Sequence, residues 1–203
     1  MKRTIQCPSC GSPVELAHIN IAVATCPYCE TVSAVHREGA DPMGKSATLI
    51  DFMAALKIGD IGTVKGRRFQ VMGRVRYEYA DGYWDEWYLV HPDGTESWLE
   101  EDEGELTLVG EVPVIGTVTA PESVRAGESV QVNGKSVYVV ERGRARVAGL
   151  EGQVPNTVRL GQELGYIDGT SNGQSYMVEF LGEKIHCFVG EQIDFDALVL
   201  ENS

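Results

Sequence analysis

The stretch Arg68-Phe69-Gln70-Val71-Met72-Gly73-Arg74-Val75-Arg76-Tyr77 alternates polar with apolar side chains, which is the period of a half-buried β-strand. Ala80-Asp81-Gly82 follows with turn chemistry, and Trp84 to Val90 forms a dense aromatic strand. His91-Pro92-Asp93-Gly94 then turns the chain again before Glu96 to Glu100. Three strands joined by tight turns make an antiparallel meander. Short strands and Gly turns continue from Gly59 to a last strand over Phe195 to Leu200. With 23 glycines and 43% hydrophobic residues, the chain reads as mainly β. Its 203 residues exceed the ~100 to 150 of a typical domain.

Toward the N-terminus stand two pairs, Cys7-Pro8-Ser9-Cys10-Gly11 and Cys26-Pro27-Tyr28-Cys29-Glu30, with fifteen residues between Cys10 and Cys26. This is zinc-ribbon spacing. In each turn backbone N–H groups aim at the first thiolate, Pro pre-sets the bend, and Gly11 can take the positive φ that closes a knuckle. Four thiolates complete a tetrahedral shell with no place for water, so Cys7, Cys10, Cys26 and Cys29 predict a structural Zn²⁺ and no chemistry at the ion. An iron–sulfur or redox dithiol site, or ligation by His18 or His36, are competing readings. The complete four-sulfur shell leaves the histidines as surface residues. Residues 19–25 predict a strand continued by Val32 to His36, and so small a unit buries too little apolar surface to fold without metal.

Gly39-Ala40-Asp41-Pro42-Met43-Gly44-Lys45-Ser46 matches the phosphate-binding loop letter for letter. That loop works only between a parallel strand and a helix of an α/β domain, and short strands with Gly turns follow instead. The segment therefore predicts a linker with a helix over Ser46 to Leu56, capped by Ser46, and no nucleotide.

The net charge is −13. Residues 1–58 balance, five basic against five acidic, whereas residues 59–110 carry five against twelve and residues 111–203 seven against thirteen. An acidic body lacks the cationic footprint of a nucleic-acid binder and favours basic partners or cations. No apolar stretch of signal-peptide or membrane-span length occurs, which predicts a cytoplasmic protein without membrane insertion.

A weak internal repeat sets Val64-Lys65-Gly66-Arg67-Arg68-Phe69-Gln70-Val71 beside Val132-Asn133-Gly134-Lys135-Ser136-Val137-Tyr138-Val139. Further on, Tyr88-Leu89-Val90 with Gly94 and Trp98-Leu99 sits beside Tyr176-Met177-Val178 with Gly182 and His186-Cys187. Leu56-Lys57-Ile58-Gly59 with Gly62, Phe69 to Arg74, Trp84-Asp85-Glu86-Trp87-Tyr88-Leu89 and Trp98-Leu99 resemble a bacterial domain-of-unknown-function family, number 4178. Its members often carry tandem copies behind a four-cysteine ribbon. Gly149 to Pro155, Tyr166 to Gly169 and Gly190 are similar to the family pattern in the second copy, which lacks the Trp pair. The resemblance covers most of residues 45–203 and implies no established activity. Neighbouring genes for membrane-stress and spermidine-synthase-like proteins, usual in the family, imply a stress-linked adaptor.

The domain expectation is a ribbon over 1–36, a linker with a short helix over 37–57, and two small antiparallel barrel-like or sandwich-like β domains over 58–112 and 113–203. For catalysis the candidates are weak. His186 and Cys187 are strand neighbours on opposite faces, with Cys187 a core residue and His186 exposed. Glu86 shares a face with Trp84 and Tyr88, and a pairing with Arg74 or Arg76 is expected. The sequence thus predicts no enzyme. Trp84, Trp87 and Trp98 with Glu86, Glu100, Glu101, Asp102 and Glu103 form a candidate cation-binding patch, against the plainer reading of core tryptophans beside a solvated acidic turn. The leading functional expectation is a protein-interaction adaptor. A sensor of a polyamine-like cation or basic peptide comes second, and nucleic-acid binding through the ribbon third.

Overall fold

A computed structural model describes residues 3–46, 49 and 54–201. Around the cysteine pairs lie strands β1 (Arg3–Gln6), β2 (Pro13–Leu16), β3 (Val23–Thr25), β4 (Thr31–His36) and β5 (Gly39–Lys45). The next group is β6 (Ile61–Val64), β7 (Arg67–Glu78), β8 (Tyr83–Val90), β9 (Glu96–Asp102) and β10 (Glu105–Val112). The last comprises β11 (Ser129–Val132), β12 (Lys135–Val154), β13 (Glu163–Ser171), β14 (Gln174–Leu181), β15 (Lys184–Ile193) and β16 (Leu198–Leu200). Among the described residues the helical turns are Pro121–Ser123 and Phe195–Ala197, both 3-10. The helix expected over Ser46 to Leu56 falls mostly outside the described residues.

Strands β7-β8-β9-β10-β15-β14-β13-β12 hydrogen-bond in that order, and β12 returns to β7, so eight strands close into one antiparallel barrel. Residues 58–112 and 113–203 are therefore not separate bodies: each supplies four of the staves. The reason lies in their side chains. On β8, Trp84 and Tyr88 face the lumen with Tyr77, while Trp87 and Leu89 pack outside with Phe69 and Leu99. A four-stranded sheet apolar on both faces stays half exposed, and closure on its counterpart buries the inner face.

Each half also covers its own outer face. β6, β16 and Leu56 lie over Phe69, Val71, Trp87 and Leu99, and β11 with Val118 and Val124 lies over Val137, Ile167, Val178 and Cys187. The first part of the repeat is structural: Lys65-Gly66 (φ 51° and 76°) and Asn133-Gly134 (φ 50° and 74°) make the same left-handed two-residue turn into β7 and β12. The second part is out of register. Tyr88 lies on β8, whose counterpart in chain order is β13, whereas Tyr176 lies on β14. The closing seam needs glycine on both sides, because a Cβ on Gly73 would strike the Gln153 carbonyl and one on Gly152 the Met72 carbonyl.

The ribbon is part of this body. β3 extends the sheet from β12 through Val23↔Val154 and Ala24↔Gln153. Gln153 Oε1 accepts from the Ala17 amide at 2.9 Å, and its Nε2 donates to the Glu15 carbonyl at 2.7 Å. Leu16, Ile21 and Val23 join the lumen core. The ribbon and the Pro155–Gln162 loop close the barrel end to which β12 delivers them. Gly39–Lys45, expected as linker, is instead strand β5, antiparallel to β4 from Thr31↔Lys45 to His36↔Gly39. The phosphate-loop letters thus lie in extended chain, with no parallel strand and helix for them to join.

Candidate functional site

Two groups of acidic side chains are built into this frame. The first is the cysteine cluster, whose two knuckles are near copies. Gly11 N donates to Cys7 O and Glu30 N to Cys26 O, both at 2.9 Å, while Cys7 N reaches Ser12 O and Cys26 N reaches Thr31 O at the same distance. The closing residues, Gly11 (φ 74°) and Glu30 (φ 60°), are both left-handed. The four Sγ atoms lie within 4.8 Å of one another, with Cys7 to Cys29 at 3.6 Å and Cys10 to Cys26 at 3.8 Å. The Thr31 hydroxyl, 3.3 Å from Cys29 Sγ, and the Thr31 amide bring that thiol down to about 6. Such a cluster is able to hold one metal ion. His36 instead sits 3.7 Å from Asp41 on the surface.

The second group occupies the barrel, and the register shows how. Across β8 and β9 the lumen rows are Trp84↔Asp102, Glu86↔Glu100 and Tyr88↔Trp98. Across β12 and β13, Glu141 faces Asp168. Like charges directly opposite one another destabilise a sheet, and here it happens three times on one inner surface, the third being Asp102↔Glu105 across β9 and β10. Trp84 Nε1 donates to Glu86 Oε1 at 3.2 Å, and Tyr166 Oη to Glu141 Oε1 at 2.6 Å. Glu179, on β14, lies within hydrogen-bonding reach of Glu86. At the end away from the ribbon the lumen opens into a cleft of about 450 Å³, lined by Glu100, Asp102, Glu103, Glu105, Glu141 and Asp168 among others.

Burial above all, with the charge of neighbouring carboxylates, holds protons on five of these groups. Glu86 and Glu100 are pushed well above the carboxylate range. Asp168 is raised to about 8, Glu179 to about 7 and Asp102 to about 6. Glu179 is 3% exposed, and its Oε1, like Oδ1 of Asp102, has no hydrogen-bond partner among the described residues. No Lys or Arg among the described residues makes an ion pair with Glu86, Glu100, Asp168 or Glu179. The basic side chain whose charge reaches Glu86 is His186, itself 2.7 Å from Glu111.

The candidate patch is accordingly divided between two faces. Trp84, Glu86, Trp98, Glu100 and Asp102 belong to the lumen, and Glu103 stands in the turn at its rim. Trp87 and Glu101 belong to the outside, where Trp87 Nε1 and the Ala55 amide donate to Glu101 at 3.0 and 2.9 Å. The expected pairing of Glu86 with Arg74 or Arg76 is not formed, because both guanidinium groups go to Asp85. Arg74 reaches Asp85 Oδ2 at 2.6 Å, and Arg76 reaches Oδ1 and Oδ2 at 2.8 and 2.7 Å. Arg74 also stacks on Trp87, 4.5 Å above the ring. His186 and Cys187 point to opposite faces, Cys187 into the outer core and His186 toward Phe188, half-buried rather than exposed.

Sequence reasoning missed Glu141, Asp168 and Glu179. For Glu179 a signal was present: at two-residue spacing it stands between Met177 and Leu181, both lumen residues, so its strand face was apolar before and after it.

A family model described as "Domain of unknown function (DUF4178)" matches residues 57–195, the barrel and little else. No curated relative and no solved structure matches the chain. Among the described residues no helix is long and apolar enough to cross a membrane.

Proposed function

Because the chain belongs to the DUF4178 family, whose description assigns no activity, the function has to be argued from its own residues, and we propose a non-enzymatic receptor for an organic cation. In this reading the acidic barrel is the ligand module and the ribbon a zinc-held plug at its far end. The observation that carries it is the lumen: Glu86, Glu100, Asp168 and Glu179 converge there, and among the described residues no Lys or Arg is paired with them. Carboxylates withdrawn from water without counter-ions are costly, and the protein tolerates several together, Glu86 and Glu179 buried and Glu100 and Asp168 half-buried. An ammonium ligand relieves that cost, each ammonium exchanging for a proton and gaining charge-assisted hydrogen bonds. The rings of Trp84 and Tyr166, 5.2 Å apart, add aromatic surface beside the file.

Catalysis gains no support from this arrangement. The lumen presents acids and aromatic rings, with its one nearby His turned to Glu111 and the free thiol of Cys187 buried on the other face. The adaptor expectation ranks behind the receptor, since the inner ribbon surface is used on the barrel. The zinc assignment rests on the all-sulfur, closed donor set. Titration calorimetry of the purified chain with spermidine at pH 7.5 tests the receptor reading. Saturable binding at one site, lost in Asp168→Asn, is expected, and absence of heat and of any melting shift at millimolar spermidine overturns it. Elemental analysis is expected to return one zinc per chain.

A further inference from the structure

We propose that Glu179, with Glu86, forms an inner subsite that selects a second ammonium, so that the ligand is an elongated α,ω-diamine or longer amine threaded along the barrel axis. This deepens the receptor reading and rests on it. A compact divalent ion wants its ligand atoms converged around one point, and among the described residues the cysteines alone bring three or more candidate ligand atoms within 4.8 Å of one another. The carboxylates are instead strung out. Glu141 and Asp168 face each other at the cleft, Glu100, also at the cleft, stands directly across from Glu86, and Glu86 lies within hydrogen-bonding reach of Glu179.

The upper carboxylates line the open cleft, whereas Glu86 and Glu179 do not. Both are nearly sealed from solvent, at 3% exposure each. Met177 lines the cleft opposite Asp168 and lies next above Glu179 on the lumen face of β14. Unbranched and flexible, it can swing aside for an alkyl chain without disturbing the barrel. Glu179 Oε1 supplies the observation that the acidic residues alone do not: buried and facing the lumen, it has no donor in the described residues apart from the neighbouring Glu86 carboxyl. A monoamine held at the cleft leaves it so, and only a ligand long enough to pass Met177 satisfies it.

The test compares n-butylamine, 1,4-diaminobutane and magnesium chloride by calorimetry on the zinc-loaded full chain, in two buffers of different ionisation enthalpy. The diamine is expected to bind at least about tenfold more tightly than the monoamine and to release more protons per site. Glu179→Gln should collapse that ratio to about threefold or less by weakening the diamine far more than butylamine, and Glu86→Gln supplies the same test should the first variant fold poorly. Equal affinities for the two amines, an unchanged ratio in both variants, or magnesium binding more tightly than the diamine overturns the inner subsite and leaves the receptor reading standing. Failure of every amine to bind overturns both.

Discussion

The cysteine cluster and the carboxylate file are both collections of anionic ligands, yet the molecule treats them in opposite ways. Four sulfurs are drawn to within 4.8 Å of one another by two knuckles that repeat the same backbone hydrogen bonds. The carboxylates are spread along the barrel on rigid staves, and proton retention offsets their repulsion. Convergence suits a point charge bound once and kept. Dispersion suits a charge distributed along a molecule that enters and leaves. On the proposed reading, the metal is a matter of folding and the amine a matter of occupancy.

Breaking the first cluster should have the larger effect. Cys26→Ser removes one of four ligands, and the ribbon, too small to fold on its core alone, is expected to lose its metal and its ordered amide spectrum. Metal binding by such units is worth about 10 to 16 kcal/mol. Because Leu16, Ile21 and Val23 share the lumen core, the barrel should also melt at lower temperature and bind an apolar dye at its uncovered end. Zinc retention by the variant, followed by inductively coupled plasma emission, sinks the plug.

Protons sharpen the contrast on the other side. A carboxylate unfolded in water has a pKa near 4, whereas Asp102, Glu179 and Asp168 release their protons at about 6, 7 and 8 in the fold. Between these limits the native state binds more protons than the unfolded chain, so stability falls as pH rises through the folded values. Without ligand, the barrel should lose on the order of a few kcal/mol from pH 5.5 to pH 9, after allowance for solvent at the open cleft. Urea titrations across that range measure it. Saturating diamine should flatten the dependence, since ammonium replaces the departing protons. Stability that is constant or rises with pH refutes the account of the lumen.

How legible these features are in the sequence depends on whether their signal is local. Cysteine spacing and the alternation of Arg68 to Tyr77 are local, and both lead directly to the observed elements. The lumen depends on register. Tyr77↔Trp84 and Arg76↔Asp85 are paired across the β7–β8 turn, which sets Glu86 opposite Val75 and leaves Arg74 and Arg76 on Asp85's face. A slip of one residue would move Glu86 to that face and give it the salt bridge expected from sequence. Both faces of β8 carry aromatic residues and an acid, so composition cannot tell inside from outside. Closure is just as hidden, because the β10–β15 and β7–β12 pairings join segments far apart in the chain. The repeat shows that there are two halves, but not that they share one barrel.

The smallest effect belongs to Glu86→Gln, and its sign is the informative part. The amide keeps the shape of the side chain, its oxygen can still accept from Trp84 Nε1, and its nitrogen can donate to Glu179. What it removes is the charge that Glu86 would carry opposite Glu100 once the lumen is deprotonated. At pH 5.5, where these acids hold their protons, the substitution should change the melting temperature little. Once the pH is high enough to ionise Glu86 and Glu100, it should stabilise the ligand-free chain by about 1 kcal/mol, the scale of a relieved like-charge pair. The same substitution should weaken diamine binding, giving a variant that is more stable and less able to bind, as expected of a site whose strain serves a function. Destabilisation at both pH values would mean that the Glu86 carboxyl is needed as a structural hydrogen-bonding group, and the lumen acids would then belong to the core rather than to a ligand.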